Sequence, residues 1–211
     1  MTASLIIAVD GPAASGKGTI AKALARHYSL PHLDTGALYR AVAVAVIADG
    51  CDPANAGRAA ALAENFPDSL LADPQLRSRQ AGALASGVSA HPEVRAALLQ
   101  RQRHFAAQPG GAVLDGRDVG TVIAPDATAK LFVTADVAER ARRRTLELTG
   151  RGEPSDQAAI LADLEARDAR DSSRASAPLK VAPDAVVIDT TGLGIEDAIA
   201  AAIAAVDKAI G

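Results

Sequence analysis

The feature that most constrains this chain is an aliphatic run that empties into a glycine-rich segment. Leu5-Ile6-Ile7-Ala8-Val9 contains no polar residue, which suits a strand covered on both faces of a parallel sheet. Gly11-Pro12-Ala13-Ala14-Ser15-Gly16-Lys17-Gly18-Thr19 comes next, and residues 19–27 read as a helix through Ile20, Ala21, Leu24 and Ala25. A strand feeding such a turn and then a helix aims several backbone N–H groups at one point, at the positive end of the helix dipole. Gly11 and Gly16 allow approaches that a Cβ would block, and Lys17 is placed to reach the β- and γ-phosphates. The segment implies a nucleoside triphosphate, cradled by Gly11, Pro12, Ala13, Ala14, Ser15, Gly16, Lys17, Gly18 and Thr19. The strict pattern has Ser or Thr straight after the lysine. Here that place holds Gly18, and the hydroxyl comes one residue later, at Thr19.

Further aliphatic runs follow at Ala112-Val113-Leu114, Lys130-Leu131-Phe132-Val133 and Ala185-Val186-Val187-Ile188, with a shorter one at His32-Leu33. Helical pattern lies beside each, so the expected class is α/β, a parallel sheet flanked by helices. Near the C-terminus, Ile195, Ala198, Ile199, Ala202, Ile203, Val206 and Ile210 share one helical face. Two stretches break the alternation. Residues 49–89 are interrupted by Gly50, Pro53, Gly57, Pro67, Pro74, Gly82 and Gly87; residues 148–176 are charged and carry Gly150, Gly152 and Pro154. Both are expected to be excursions from one core, and such excursions are candidate lids.

Composition excludes several alternatives. A chain of 211 residues, 49% hydrophobic and with a net charge of −3, is globular and large enough for one core without a staple. The lone Cys51 provides no disulfide or zinc spacing and reads as a small inert thiol. Acidity and only five aromatic residues (three Phe, two Tyr, no Trp) argue against a nucleic-acid partner. Fifty alanines account for the apolar content without rings. The start Met1-Thr2-Ala3-Ser4 has no basic n-region, and residues 41–48, the longest Ala/Val run, are too short to span a bilayer. A cytoplasmic protein with no membrane partner is expected, and a monomer.

Three polar segments carry the remaining signal. Asp34-Thr35-Gly36-Ala37-Leu38-Tyr39-Arg40 follows the second strand; Asp34 or Thr35 can cap the helix that starts there, or Thr35 and Tyr39 can face a ligand. Asp115-Gly116-Arg117-Asp118 follows a buried strand, at the sheet edge where such folds bind ligands. Asp115 is either part of an Asp-Gly turn or an orienting group for magnesium and its water. Arg167-Asp168-Ala169-Arg170-Asp171-Ser172-Ser173-Arg174 is either a solvated salt-bridge face or part of a mobile arginine cluster. Eight of the 17 arginines lie between Arg140 and Arg174, which favours the cluster.

Arginine in such excess points to an anionic acceptor. A hydroxyl acceptor wants a general base, and no His-Asp pair is evident among the scattered His27, His32, His91 and His104. A phosphate acceptor needs no base; its difficulty is repulsion from the incoming phosphoryl group, which guanidinium groups relieve. A regulatory GTPase is disfavoured, because none of the five lysines has Asp two places later.

Taken together, these segments resemble the bacterial cytidylate (CMP/dCMP) kinases through almost the whole chain. The resemblance rests on Ile7-Ala8-Val9-Asp10-Gly11-Pro12, Gly16-Lys17-Gly18-Thr19, Leu33-Asp34-Thr35-Gly36-Ala37-Leu38-Tyr39-Arg40, Asp115-Gly116-Arg117-Asp118-Val119-Gly120-Thr121-Val122, and Arg170-Asp171-Ser172-Ser173-Arg174 with Ala177-Pro178-Leu179. It implies a P-loop NTPase-type five-stranded parallel core (residues 1–35, 92–147 and 177–211), a monophosphate-binding region (36–91) and a short lid (148–176). It implies ATP with Mg²⁺ as donor and CMP or dCMP as acceptor. By matching position, Ser86, Arg95 and Asp118 would read the cytosine edge. Tyr39, Asp171 and Arg167 would meet the ribose, and Arg40, Arg117 and Arg174 the acceptor phosphate. Thr35 stands where the family has Ser or Thr. Arg143 and Arg170, with other arginines of 140–151, would close over ATP; Asp115 and Thr19 would serve the metal. Lys17, Arg117, Arg170 and Arg174 are the expected catalytic cations. The alternatives are a UMP or AMP kinase and, from another class, a P-loop switch protein. One departure is visible: the family often has a β-rich insertion before Ser86, whereas residues 64–80 are short, with Pro67, Pro74 and little strand pattern. That small sheet is not expected here.

Overall fold

The computed structural model describes residues 4–211, apart from the side chains of Arg77 and Arg79. Met1-Thr2-Ala3, on which part of the export reading rests, lie outside the described residues. The five aliphatic runs are the five strands: β1 (Leu5–Asp10), β2 (His32–Asp34), β3 (Gly111–Gly116), β4 (Ala129–Thr134) and β5 (Val186–Asp189), in the order β2-β3-β1-β4-β5. β1 pairs in parallel with β3, Asp10 opposite Gly116, and with β4, Asp10 opposite Phe132. Ile7, Ala8 and Val9 are all fully buried, which is why β1 shows no alternation. The carboxyl ends of the three central strands therefore open side by side, where such sheets bind ligands.

Contacts divide the chain into two compact units, residues 1–33 with 108–211, and residues 34–107. In the first, α1 (Lys17–His27) and α8 (Ile195–Ile210) pack on the sheet. Ile20, Leu24, Ala198, Ala202 and Val206 join Ile7, Val9, Leu131 and Val133 in one core. The α8 stripe is shorter than its sequence pattern: Ile195 and Ile210, at its ends, are more than half exposed. Residues 148–176 are more helical than expected. α6 (Val137–Gly150) runs into a turn, and α7 (Gln157–Ser173) starts from Asp156, whose side chain accepts from Ala158 N at 2.9 Å. The glycines and proline mark that turn. Ile160 and Leu164, one helical turn apart, then hold α7 against Ala141, Leu148 and Ala13.

The second unit is helical. It contains α2 (Thr35–Asp49), α3 (Ala56–Asn65), two short 3₁₀ turns (Asp68–Ala72 and Pro74–Arg77), α4 (Arg79–Val88) and α5 (Pro92–Ala106). Residues 92–107, read from sequence as core, group instead with this unit, α5 packing on α3. Among the described residues no strand occupies residues 64–80, as expected.

Candidate active site

The glycine-rich segment leaves β1 and enters α1 as a tight cradle. A Cβ on Gly11 would stand 2.0 Å from Val133 O, so only glycine fits beside β4. Ala14 (φ 60°) and Gly16 (φ 89°) both adopt left-handed backbone, an arrangement that turns successive N–H groups inward as an anion nest. Gly16 caps α1 without a side-chain bond, so the first-turn donors face outward for an anion. Ser15 is fully buried and its Oγ has no hydrogen-bond partner, a costly arrangement that a bound polar ligand would relieve. Lys17 Nζ donates to Pro12 O at 3.2 Å and so rests on the loop itself.

Two arginines brace the cradle from behind. Buried Arg140 donates to Ala135 O (2.9 Å), Ala13 O (3.2 Å) and Asp168 Oδ2 (2.6 Å), fastening the loop to α6 and α7. Arg143 donates to Glu139 and to Thr190 Oγ1 and O. Thr190 Oγ1 in turn donates to Ser15 O at 3.1 Å. Arg143 also lies 4.0 Å from where a Cβ on Gly16 would be, at the cradle's rim. Arg140 is therefore a brace held inside the protein, while Arg143 reaches the rim of the loop. The sequence offers no signal for Thr190.

Asp115 is buried at the end of β3, where it meets a histidine that the sequence left scattered. His32 Nε2 lies 2.7 Å from Asp115 Oδ1, so a His-Asp pair exists, formed between neighbouring strands β2 and β3. Eighty-three positions apart in sequence, the two could be joined only by knowing strand order. The other oxygen, Asp115 Oδ2, faces α1, 3.7 Å from where a Cβ on Gly18 would stand. Thr19 is exposed one residue on. Among the described residues no group of three or more His, Cys, Asp and Glu could hold a metal by itself. A carboxylate oxygen beside a phosphate cradle does fit magnesium, which takes one or two carboxylates and is otherwise held by phosphates and water.

Arg117, Arg167 and Arg174 converge on one carboxylate. Asp171, 1% exposed, accepts from Arg117 Nε at 2.9 Å and from Arg174, and Arg167 Nε stands 3.9 Å away. Burial pushes its carboxyl upward, but the three guanidinium groups together hold it below the ordinary carboxylate value. Arg170 is not gathered here: its side chain is exposed. Asp118 is buried and starts one wide π-helical turn, Val119–Ile123. Asp10, which the sequence reading did not single out, accepts from Val119 N and Gly120 N, both at 2.8 Å. Its signal was available, since an acid at the end of a buried strand is the pattern that drew attention to Asp115.

In the helical unit, Asp34 is the cap of α2, accepting from Ala37 N at 3.1 Å, and Thr35 is the first helical residue. Asp34 also holds Arg40 at 2.6 Å. A Cβ on Gly36 would crowd that pair, standing 3.0 Å from Asp34 Oδ1 and 3.2 Å from Arg40. Arg95 lies over the Tyr39 ring, 5.5 Å from its centroid, and donates to Ser89 O. Ser86 is buried and its Oγ has no hydrogen-bond partner. Thr35, Tyr39, Ser86 and Arg95 are all at least nine-tenths buried, which is unusual for so polar a set.

The sequence family model for cytidylate kinase matches residues 7–208. A cytidylate kinase from Rhodopseudomonas palustris (strain HaA2) is 56% identical over 203 residues, covering 96% of each chain. One from Bradyrhizobium sp. (strain ORS 278) is 59% identical over 199 residues, covering 94% of each. One from Methylocella silvestris is 57% identical over 205 residues, covering 97% of this chain and 95% of the relative. Among solved structures, an uncharacterized protein from Eubacterium ventriosum aligns with a TM-score of 0.57 at 16% identity, covering 97% of this chain and 99% of the other. A protein from Thermus thermophilus aligns at 0.51 and 22% identity, covering 99% and 98%. These two likenesses concern the fold alone.

Proposed function

The chain belongs to the cytidylate kinase family, and on that footing we propose that it transfers the γ-phosphoryl group of ATP to CMP or dCMP, giving ADP and CDP or dCDP. An acceptor phosphate oxygen attacks the γ-phosphorus, the bond to the β-γ bridging oxygen breaks, and ADP leaves. The acceptor is already an anion, so no residue needs to take a proton from it at neutral pH. The task is to bring two anions together, and cations do it. The observation that carries this reading is the gathering of Arg117, Arg167 and Arg174 on buried Asp171, in the same compact unit as the phosphate cradle.

In this reading the backbone of residues 11–19 holds the triphosphate, and Lys17 leaves Pro12 O to neutralise charge on the transferring group. Arg143 and Arg170, on α6 and α7, close over the donor. Asp115 and Thr19 would hold magnesium, with Asp115 Oδ2 directed toward the start of α1. When bound, the metal neutralises triphosphate charge. Arg117 and Arg174 of the first unit, and Arg40 of the second, hold the acceptor phosphate. Asp171, Arg167 and Tyr39 meet the sugar. Asp118, Ser86 and Arg95 read the base, with Thr35 at the same site. Cytosine presents a donor at N4 and acceptors at N3 and O2, so carboxylate, hydroxyl and guanidinium groups match it. Uracil would leave buried groups opposed or unpaired. The enzyme is read as a cytoplasmic monomer without nucleic-acid or membrane partners; among the described residues no helix is long and apolar enough to cross a membrane.

The test is the initial rate of ADP formation with CMP, dCMP, UMP and AMP at equal concentration. CMP and dCMP should be preferred. Turnover that is the same with no monophosphate would overturn the transfer, and preference for UMP or AMP would overturn the base assignment.

A further inference from the structure

β1 ends in a buried carboxylate that the chemistry above does not use. Asp10 is 5% exposed, and each of its oxygens accepts one backbone N–H: Oδ1 from Val119 and Oδ2 from Gly120, both at 2.8 Å. These donors open the turn Val119–Ile123. The later N–H groups of that turn are bonded within it, Val122 and Ile123 to Asp118 O at 2.9 and 3.2 Å, and Ala124 to Val119 O at 2.7 Å. The first N–H groups of any helical turn have no partner inside it. The residue just before the turn usually supplies one from its own side chain, and Asp is among the best residues at doing so.

Asp118 occupies that place but makes no such cap bond. Asp10, from the central strand and more than a hundred residues earlier, caps the turn instead. The consequence falls on Arg117 and Asp118. The backbone that follows them directly is pinned to the central strand of the sheet, and Asp118 does not have to fold back on its own turn. Space around the cap is close: a Cβ on Gly120 would lie 3.4 Å from Asp10 Oδ2 and 3.2 Å from Lys130 Cδ. Both charged neighbours also act on Asp10. Burial is the main influence raising its carboxyl to about 6; the two N–H bonds and Arg117 lower it, and Asp118 raises it.

We propose that Asp10 is a positioning residue for acceptor selection, capping the 118–124 turn from outside so that Asp118 and Arg117 present their side chains to the monophosphate. This rests on the reading that Asp118 meets the base and Arg117 the acceptor phosphate. Asp10 itself touches no substrate in this scheme.

The experiment measures KM for CMP and for ATP, and the CMP/UMP ratio of kcat/KM, in Asp10→Asn, Asp118→Ala and the double variant. Asn keeps one acceptor oxygen but sets an NH₂ against a backbone N–H. KM for CMP should rise about 10- to 100-fold and the CMP/UMP ratio should fall, while KM for ATP moves less than about 3-fold. The CMP/UMP ratio of the double variant should match that of Asp118→Ala alone, because Asp10 acts through Asp118. Equal rises in both KM values with an unchanged ratio would mean that Asp10 only supports the fold, and would overturn the proposal. So would additive effects in the double variant. If Asp118→Ala itself leaves the ratio unchanged, the base assignment fails; if it lowers the ratio and Asp10→Asn does not, this inference alone fails. Should Asp10→Asn not fold, Asp10→Ser, which removes the donor clash and keeps one acceptor, should shift the ratio in the same direction; an unchanged ratio there is equally decisive.

Discussion

Replacing Asp171 with Asn asks whether one carboxylate gathers the arginines. The side chain is 1% exposed and faces Arg117, Arg174 and Arg167. Asn keeps the volume and one acceptor oxygen, removes the charge, and directs an NH₂ at a guanidinium. Removing one member of a fully buried ion pair costs about 3–5 kcal/mol. Here water reaches part of the cluster, since the Arg167 and Arg117 side chains retain 30% and 16% of their exposure. Screening reduces the expected loss to about 2–3 kcal/mol. For a chain of this size that lowers the melting midpoint by about 4–12 °C.

Calorimetry on wild type and variant, with and without inorganic phosphate, would measure it. With the carboxylate gone, the arginines hold uncompensated positive charge, so phosphate should raise the midpoint of the variant more than that of wild type. The pH dependence has a definite sign. The guanidinium groups hold Asp171 below its ordinary 3.8 despite its burial. Its contribution is therefore present above about pH 4 and lost as pH falls further, and the gap between wild type and variant should close in acid. An unchanged midpoint at pH 7 with an unchanged phosphate response would refute the clustering argument.

Lys17→Ala should lower kcat by about 10²- to 10³-fold with little change in melting midpoint; near-normal turnover in a steady-state assay would remove Lys17 from the chemistry. Gly11→Ala must displace either the loop or β4, because its Cβ would sit 2.0 Å from Val133 O. It should lose about 1–3 kcal/mol in urea unfolding and weaken ATP binding measured by calorimetry; unchanged values for both would contradict the close approach. Asp10 titrates in the folded state near 6 against an ordinary 3.8, chiefly through burial. Its stabilising contribution is full below about pH 4 and is lost as pH rises through 6. The stability of wild type relative to Asp10→Asn should therefore decline by about 3 kcal/mol from pH 4 to above 6 in urea melts; a gap that widens with pH would mean that the two N–H bonds outweigh burial.

The sheet was legible because its signal is local. All the strands but the short β2 are built on a run of three or more apolar residues, and β1 leads straight into the cradle. The second unit was harder to read, since its glycines and prolines mark turns without showing what lies between them. Pro67 and Pro74 bound short 3₁₀ turns, and α5 joins this unit through packing on α3, which no local pattern reveals. Residues 148–176 misled in a similar way: Gly150, Gly152 and Pro154 do make a turn, but Ile160 and Leu164 continue as a buried helical stripe. Side-chain partners were least visible. His32 meets Asp115 because β2 and β3 are neighbours, and Arg140 meets Ala13 O because α6 passes behind the loop. Those pairings follow from topology, and sequence spacing carries no trace of them.

The same pairings explain how so many arginines can stand ready in a chain with a net charge of −3. Arg40 is held by Asp34, Arg140 by Asp168, and Arg117, Arg167 and Arg174 by Asp171. If each carboxylate had to be displaced by an incoming phosphate, binding would gain little, because one anion would replace another. A guanidinium has five N–H donors in a fixed fork, so it can keep one anion and take a second. Arg117 shows how: Nε is committed to Asp171 and Nη1 to Gly116 O, which leaves Nη2 for another acceptor. Its anchor fixes the plane of the fork before a ligand arrives, so the entropy of ordering a long side chain is met on folding and not on binding. A phosphate joining that fork also adds a second negative charge beside Asp171, and the neighbouring Arg167 and Arg174 are what make two anions at one place tolerable. Three arginines on one aspartate thus leave a surplus of positive charge at a position that is already rigid, which is the condition a phosphate acceptor requires.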